Sequence, residues 1–456
     1  MTTKITVDLC LDASWIAPVI PRGRLYTDCS LLINGDTIIG ITPTSDVSSQ
    51  YTPLKRVDLT RQLIMPGLIN THGHAAMALL RGFADDHPLD TWLQDHIWPA
   101  ENRWVNETFV EDGSKLAIAE MLLTGTTCFA DMYYFPEACA AAAREAGIRA
   151  QITFPILDAP NNWSRDADDA FHKGLQLRDK YRSHPLIEIG FGPHAPYTVS
   201  DQSLQRIATY AEELQAPIQI HLHETAHEID TALAETGIRP LQRLHDLGLL
   251  TPLTQCVHMT QTTADDRALL KLTGAHVIHC PQSNMKLASG TCNAQQLLDA
   301  DINVALGTDG AASNNTLNMF AELQTAALLG KLAANNPAAI NATTAIEMAT
   351  INGARAMGIE EKVGSLEAGK QADVIAIDLS NIASLPVHNP LSQLVYTGAG
   401  AHVTHVWVAG EQRVHNGALT QLSLEEIKIN THKWQNRMKG NEPPKNASTH
   451  IGERES

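Results

Sequence analysis

Apolar runs of strand length recur through the middle of the chain, each followed by a longer stretch with helical patterning. The runs are LIMPGLINTHGH (63–74), TTCFADM (126–132), IRAQITFPI (148–156), LIEIGFGPHA (186–195), PIQIHLHE (217–224), TQCVHMT (254–260), GAHVIHCP (274–281) and INVALGTDG (302–310). They are near-continuous rather than alternating, the pattern of strands covered on both faces. Segments between them, such as EDGSKLAIAEMLLTG (111–125) and SDQSLQRIATYAEELQA (200–216), carry helical spacing. Eight strand–helix alternations predict an α/β fold, a (β/α)8 TIM barrel over 65–364. A doubly wound open sheet is the competitor. Polar and ionisable residues recur at the C-terminal ends of most runs, and in a barrel those ends converge on one mouth.

The flanks read differently. LLINGDTIIGI (31–41) is a hairpin signal around Asn34-Gly35-Asp36. After the eighth run, TTAIEMATINGARAMG (343–358) predicts a helix, with Thr344 and Glu347 spaced as a capping box. Strand texture then returns in KQADVIAIDL (370–379) and THVWVAGEQRVHNG (404–417). The economical arrangement pairs residues 1–64 with 365–435 in one small β-sandwich built from both ends. The polar, Pro/Gly-containing stretch 436–456 reads as a disordered tail.

A chain of 456 residues, 44% hydrophobic and 18% charged, can bury a large core and form more than one domain. The formal net charge of −17 opposes non-specific nucleic-acid binding, which needs a basic footprint. Seven scattered cysteines without a CxxC fit reduced thiols. The first residues lack the layout of a signal peptide, and no apolar stretch approaches the roughly 18 residues of a membrane span. The expectation is a cytoplasmic enzyme without nucleic-acid or membrane partners.

The strand ends carry candidate chemistry. His72 and His74 end the first run, and His194 the fourth. His221, His223 and Glu224 end the fifth, His258 the sixth, His279 the seventh and Asp309 the eighth. Any one alone reads as a hydrogen-bonded core residue. Together at one mouth they are costly to bury without a cation. Imidazoles plus one carboxylate suit Zn2+ or Fe2+: His72, His74, one of the fifth-run histidines and Asp309. A cation there lowers the pKa of water toward about 7. Asp309 is placed to take the water's proton, His258 to hydrogen-bond the developing oxyanion, and Glu224 to protonate a ring nitrogen. Trp92 and Trp98 either pack a ligand or bury a loop, and Lys286 is read as a structural or solvated residue.

PGLINTHGH, HLHE, the isolated His258, HCPQSNMKLASG (279–290) and LGTDGAASNN (306–315) resemble the amidohydrolase superfamily, in its deaminase-type mononuclear branch, over about residues 30–420. No bridging lysine is evident, which favours one metal per subunit, Zn2+ first and Fe2+ second. Within that branch TWLQDHIWPAE (91–101), NNWSRDAD (161–168) and GFGPHAPYT (190–198) resemble the 5′-methylthioadenosine/S-adenosylhomocysteine deaminases. The resemblance implies His221 as the third metal histidine, with His223 a neighbour on the same face. It further implies Glu101 at the ribose, and Arg165 and His194 in the substrate site, with Trp92 packing on the purine or thioether. An arginine from a neighbouring subunit has no assignable position here, and a homo-oligomer is expected. The implied reaction is hydrolytic deamination of the adenine ring to the inosyl product plus ammonia. Related branches act on guanine, cytosine, 8-oxopurines or triazines. A non-catalytic assembly barrel would require a broken metal set, and here the set is intact. The H-x-E and P-C-x-x-C signature of nucleic-acid deaminases is missing.

Overall fold

The computed structural model describes residues 4–440. Two eight-stranded sheets organise the chain. One is parallel throughout and runs in strict sequence order: Leu68–Asn70, Thr126–Met132, Arg149–Ile156, Ile187–Pro193, Ile218–Leu222, Thr254–His258, His276–His279 and Val304–Leu306. Each expected run supplies one strand. The first and eighth strands meet where Thr71 N–H donates to Leu306 O (3.0 Å) and Asp309 N–H to His72 O (3.0 Å). The Asn70 amide clasps Thr308 from both sides, donating to its hydroxyl (2.8 Å) and accepting its N–H (2.9 Å). The barrel therefore closes through the residues flanking two motifs of the mouth.

Glycines permit the approach. A Cβ on Gly307 would stand 2.8 Å from the His72 backbone and side chain, and one on Gly67 would overlap Thr127 at 2.0 Å. Gly307 lets the end of the eighth strand approach the His72 backbone, and Gly67 makes room for the Thr127 side chain of the second strand; only hydrogen fits at either.

The short helix Ile351–Ala356 closes the barrel floor, and the apolar interior there includes Ile69, Cys128, Ala130, Ala354 and Met357. The much larger outer core lies between strands and helices, with Phe129, Phe154, Phe171 and Phe191 fully buried. The helix expected from 343 to 358 is two helices, Ala342–Met348 and Ile351–Ala356, broken at Thr350. The expected capping box is not formed. Asn341 is the N-cap, its side chain accepting the Thr344 N–H (3.1 Å), so Thr344 already lies in the first turn. Glu347 instead pairs with Arg22 at 3.0 Å.

The second sheet takes strands from both ends of the chain. Ile5–Ile16 lies between Tyr26–Asn34 and Tyr51–Pro66, and Tyr51–Pro66 pairs with Val374–Asp378, which leads to Val403–Val408. The hairpin turns at Gly35-Asp36, with Asn34 opposite Thr37 and Gly35 at φ +58°. The sheet encloses its own apolar cluster, including Leu11, Leu31, Ile33, Val374 and Trp407. The C-terminal helix Leu424–Met438 continues past the expected start of the tail at 436, and residues 441–456 lie outside the described residues. All seven cysteines are buried and free. No helix among the described residues is long and apolar enough to cross a membrane.

The two sheets are joined by a buried ion pair. Arg149, at the start of the third barrel strand, donates from Nε and Nη2 to Asp373 (3.1 Å each), beside Val374–Asp378. Both side chains are about 95% buried. Removing one partner of such a pair costs more than the pair contributes, because a charge stays buried alone. Asp373→Ala is expected to lower the unfolding free energy by about 3–5 kcal/mol, read as a lower urea midpoint at unchanged slope.

Candidate active site

Three imidazoles and one carboxylate meet at the barrel mouth. His72 and His74 follow the first strand, His221 is in the fifth, and Asp309 follows the eighth. His72 Nε2 lies 3.4 Å and His74 Nε2 3.3 Å from Asp309 Oδ1. The His72 ring centroid is 4.9 Å from that of His74 and 5.0 Å from that of His221. Each ring is anchored at Nδ1 by an oxygen that only accepts: His72 by Gln219 Oε1 (2.8 Å), His74 by Met132 O (2.5 Å), His221 by His194 O (2.7 Å). Each ring therefore carries a proton on Nδ1, and its Nε2 is left to face the shared space.

This geometry fits a cation. His72 Nε2 is buried with no hydrogen-bond partner among the described residues, and burial holds the ring below the usual imidazole range, so a bare nitrogen faces a carboxylate oxygen at little over van der Waals contact. Such lone pairs repel unless a positive charge lies among them. Asp309 is oriented by Ser283 Oγ–H donating to Oδ2 (2.6 Å) and Gly310 N–H to Oδ1 (2.7 Å). Three nitrogens and one oxygen form the usual donor set for a divalent metal with an open position.

His258 belongs to the cluster but differs in protonation. Its Nδ1 accepts from Asn284 Nδ2 (2.9 Å), which leaves the proton on Nε2, 3.7 Å from Glu224 Oε2. It presents a donor rather than a lone pair.

Backbone strain shapes the mouth. His223, His258 and Asp309 have φ of +52°, +78° and +62°, a region costing non-glycine residues about 1–3 kcal/mol each. Strand alternation placed His223 on the face of His221. The left-handed turn at His223 breaks that period, and its Nε2 accepts the Leu241 N–H (3.1 Å) at the start of helix Pro240–Asp246. His223 thus packs behind the site. His279 is buried and does not line the cavity.

The cavity above this cluster is lined by Trp92, Ile97, Glu101, Tyr133, His194, Glu224 and His258 among others. Trp92 begins a wide helical turn, Trp92–Ile97, that continues into Trp98–Trp104 and carries Glu101 inward. Burial pushes the Glu224 carboxyl up to about 8, with the Asp309 charge adding to the rise. Ser289 Oγ–H donates to its Oε1 (3.3 Å), and Glu228 accepts its backbone N–H (2.8 Å). Burial likewise lifts Glu101 to about 7, against a hydrogen bond from the Tyr133 hydroxyl (2.6 Å). His194 Nδ1 contacts Thr198 Oγ1 (3.1 Å).

Outward, the cavity opens into a chamber of about 1310 Å³ whose lining includes Asp90, Asp158 and Glu228. Its lining holds Arg243, which is engaged by Asp201 at 2.6 Å. Arg165 does not line either space. Its side chain is 84% exposed and stands 3.5 Å from Asp169. Lys286 is structural, donating to Asp85 (2.6 Å) and Ala312 O (3.3 Å). Gln219, Tyr133 and Ser283 join the site without a role expected for them. Gln219 was findable, because it shares strand parity with His221 in an otherwise apolar run. Tyr133 and Ser283 carry no such signal.

The model of the amidohydrolase family matches residues 63–413. A 5-methylthioadenosine/S-adenosylhomocysteine deaminase from Teredinibacter turnerae is 62% identical, covering 96% of this chain and 99% of that relative. One of the same name from Syntrophobacter fumaroxidans is 39% identical across 92% and 96%. The crystal structure of an adenosine deaminase from Xanthomonas campestris with bound zinc superposes with a TM-score of 0.95 at 42% identity, covering 96% of this chain and all of that one.

The two histidines of HLHE separate in one measurement. His221→Ala is expected to lose stoichiometric divalent metal in elemental analysis, whereas His223→Ala keeps it.

Proposed function

The chain belongs to the amidohydrolase family, and from that premise we propose that it hydrolytically deaminates the adenine ring of 5′-methylthioadenosine and S-adenosylhomocysteine, releasing ammonia and the inosyl product. The observation that carries this reading is Glu224: a buried carboxyl raised to about 8, beside a histidine donor and the metal-binding cluster. A carboxyl protonated near neutral pH is a general acid, and ring deamination needs one at the nitrogen next to the attacked carbon. The names of the relatives supply the substrate class.

His72, His74, His221 and Asp309 would hold the ion, with Zn2+ the expected metal by the donor set and by the zinc-bound adenosine deaminase. A divalent cation there acts as a Lewis acid and brings the pKa of water to about 7. Asp309 takes one proton of the attacking water as its oxygen bonds to the amino-bearing carbon. Glu224 gives its proton to the adjacent ring nitrogen, so the carbon–nitrogen double bond is consumed. His258 Nε2–H donates to the added oxygen. Asp309 then passes its proton to the amino group, the carbon–nitrogen bond breaks and ammonia departs. The hydroxyl proton returns to Glu224 as the carbonyl forms.

In the same cavity, Glu101 accepts from the vicinal ribose hydroxyls. His194 and Trp92 position the base and its 5′ substituent. Arg165, exposed outside the cavity, has no part in this reading.

Ammonia release from methylthioadenosine, S-adenosylhomocysteine, adenosine and free bases tests the assignment. Release from the first two is expected, and none from any adenosine derivative would overturn it. Glu224→Gln is expected to keep its metal and lose about 10²- to 10⁴-fold in kcat. Glu101→Gln is expected to raise KM for ribosides by about 10- to 100-fold, the loss of charge-assisted hydrogen bonds, with a much smaller effect on 2′,3′-dideoxy substrates.

A further inference from the structure

The barrel interior should be apolar, yet Gln219, Gln255 and Gln151 lie inside it, each at most 1% exposed. Their amides join end to end. His72 Nδ1 meets Gln219 Oε1 (2.8 Å). Gln219 Nε2 donates to Gln255 Oε1 (2.6 Å), Gln255 Nε2 to Gln151 Oε1 (2.6 Å), and Gln151 Nε2 to Glu188 Oε2 (3.0 Å). Gln219 and Gln255 are register partners on the fifth and sixth strands, and Gln151 and Glu188 on the third and fourth. The chain therefore crosses the barrel from the metal cluster to a half-buried carboxylate at the floor.

Its direction is fixed. The second hydrogen of each amide goes to a backbone carbonyl, which can only accept: Gln219 to Thr71 O (2.9 Å), Gln255 to Ala356 O (2.9 Å), Gln151 to Met357 O (3.1 Å). Each Nε2 is thereby identified, and no amide can flip without placing two acceptors face to face. The last two carbonyls end the floor helix Ile351–Ala356, where they lack intrahelical partners. With Gln219 Oε1 forced to accept, His72 must keep a proton on Nδ1, and its Nε2, without a hydrogen-bond partner among the described residues, faces Asp309.

We infer that this one-way relay, Glu188–Gln151–Gln255–Gln219–His72, is a set of positioning residues that holds His72 in its metal-binding tautomer and increases its basicity from the opposite side of the barrel. Oriented amides polarise one another, and an anion at the accepting end strengthens every link. Partners beyond the ligands commonly tune metal affinity 10- to 100-fold. The inference rests on the reading of His72 as a ligand and extends it beyond direct contacts.

The test is Zn2+ affinity of the metal-free protein, measured by competition with a chelator well below its thermal midpoint. Gln219→Met is expected to weaken binding by about 10- to 100-fold. Gln255→Met and Glu188→Gln, neither touching His72, are expected to weaken it by at least about 3-fold, a smaller share of the same range. Glu188→Gln keeps an acceptor at the half-buried floor and guards against misfolding of the core variants. A purely structural role for the amides would lower the midpoint of the metal-free protein and leave Zn2+ affinity at the parent value. Parent affinity in both Gln255→Met and Glu188→Gln, with loss in His72→Ala, overturns the relay alone. Parent affinity in His72→Ala overturns the ligand assignment and the relay with it.

Discussion

Everything at the mouth follows from placing three imidazoles and a carboxylate in one buried space. Their anchoring bonds are all on the outside: Gln219, Met132 O and His194 O hold the Nδ1 atoms, while Ser283 and Gly310 hold Asp309. The Nε2 atoms and the Asp309 carboxylate are then turned inward, and His72 Nε2 has no hydrogen-bond partner among the described residues. Such an arrangement is unfavourable by itself and favourable around a cation. The metal site is thus prepared by the protein's hydrogen bonds before any ion arrives.

The barrel makes that preparation affordable in structural terms by bringing strands distant in sequence to one rim. His72 and Asp309 belong to opposite ends of the barrel sequence, and the clasp of Asn70 on Thr308 sets them side by side. Gly307 of LGTDG is the steric counterpart of that closure. Left-handed backbone at His223, His258 and Asp309 then turns the chain away from strand geometry where the ligands and donors must point. Strain of this kind persists only where surrounding packing enforces it.

Two glutamates in one cavity have different neighbours. Glu101 is met by the Tyr133 hydroxyl, and Glu224 by the negative Asp309 and a weaker contact from Ser289. Burial raises both, but the Asp309 charge raises Glu224 further. Burial is the larger cause for both carboxyls. The Tyr133 hydroxyl at Glu101 works against that rise.

Much of this was legible in one dimension. The eight apolar runs, their alternation with helices, the polar residues at their ends and the meeting of His72, His74 and Asp309 at one mouth all follow from periodicity and residue type. Periodicity assigns a residue to a face, and chemistry assigns it a capacity. Neither names the partner. Alternation put His221 and His223 together, and only the turn at His223 sent its ring to Leu241. The helix cap moved from Thr344 to Asn341 because a competing side chain lay three residues earlier. The exposure of Arg165 and the amide relay through the barrel likewise emerge only when the chain closes. The relay links residues separated by 36, 104 and 147 positions, and contacts of that range are set by the geometry of closure, on which local sequence is silent.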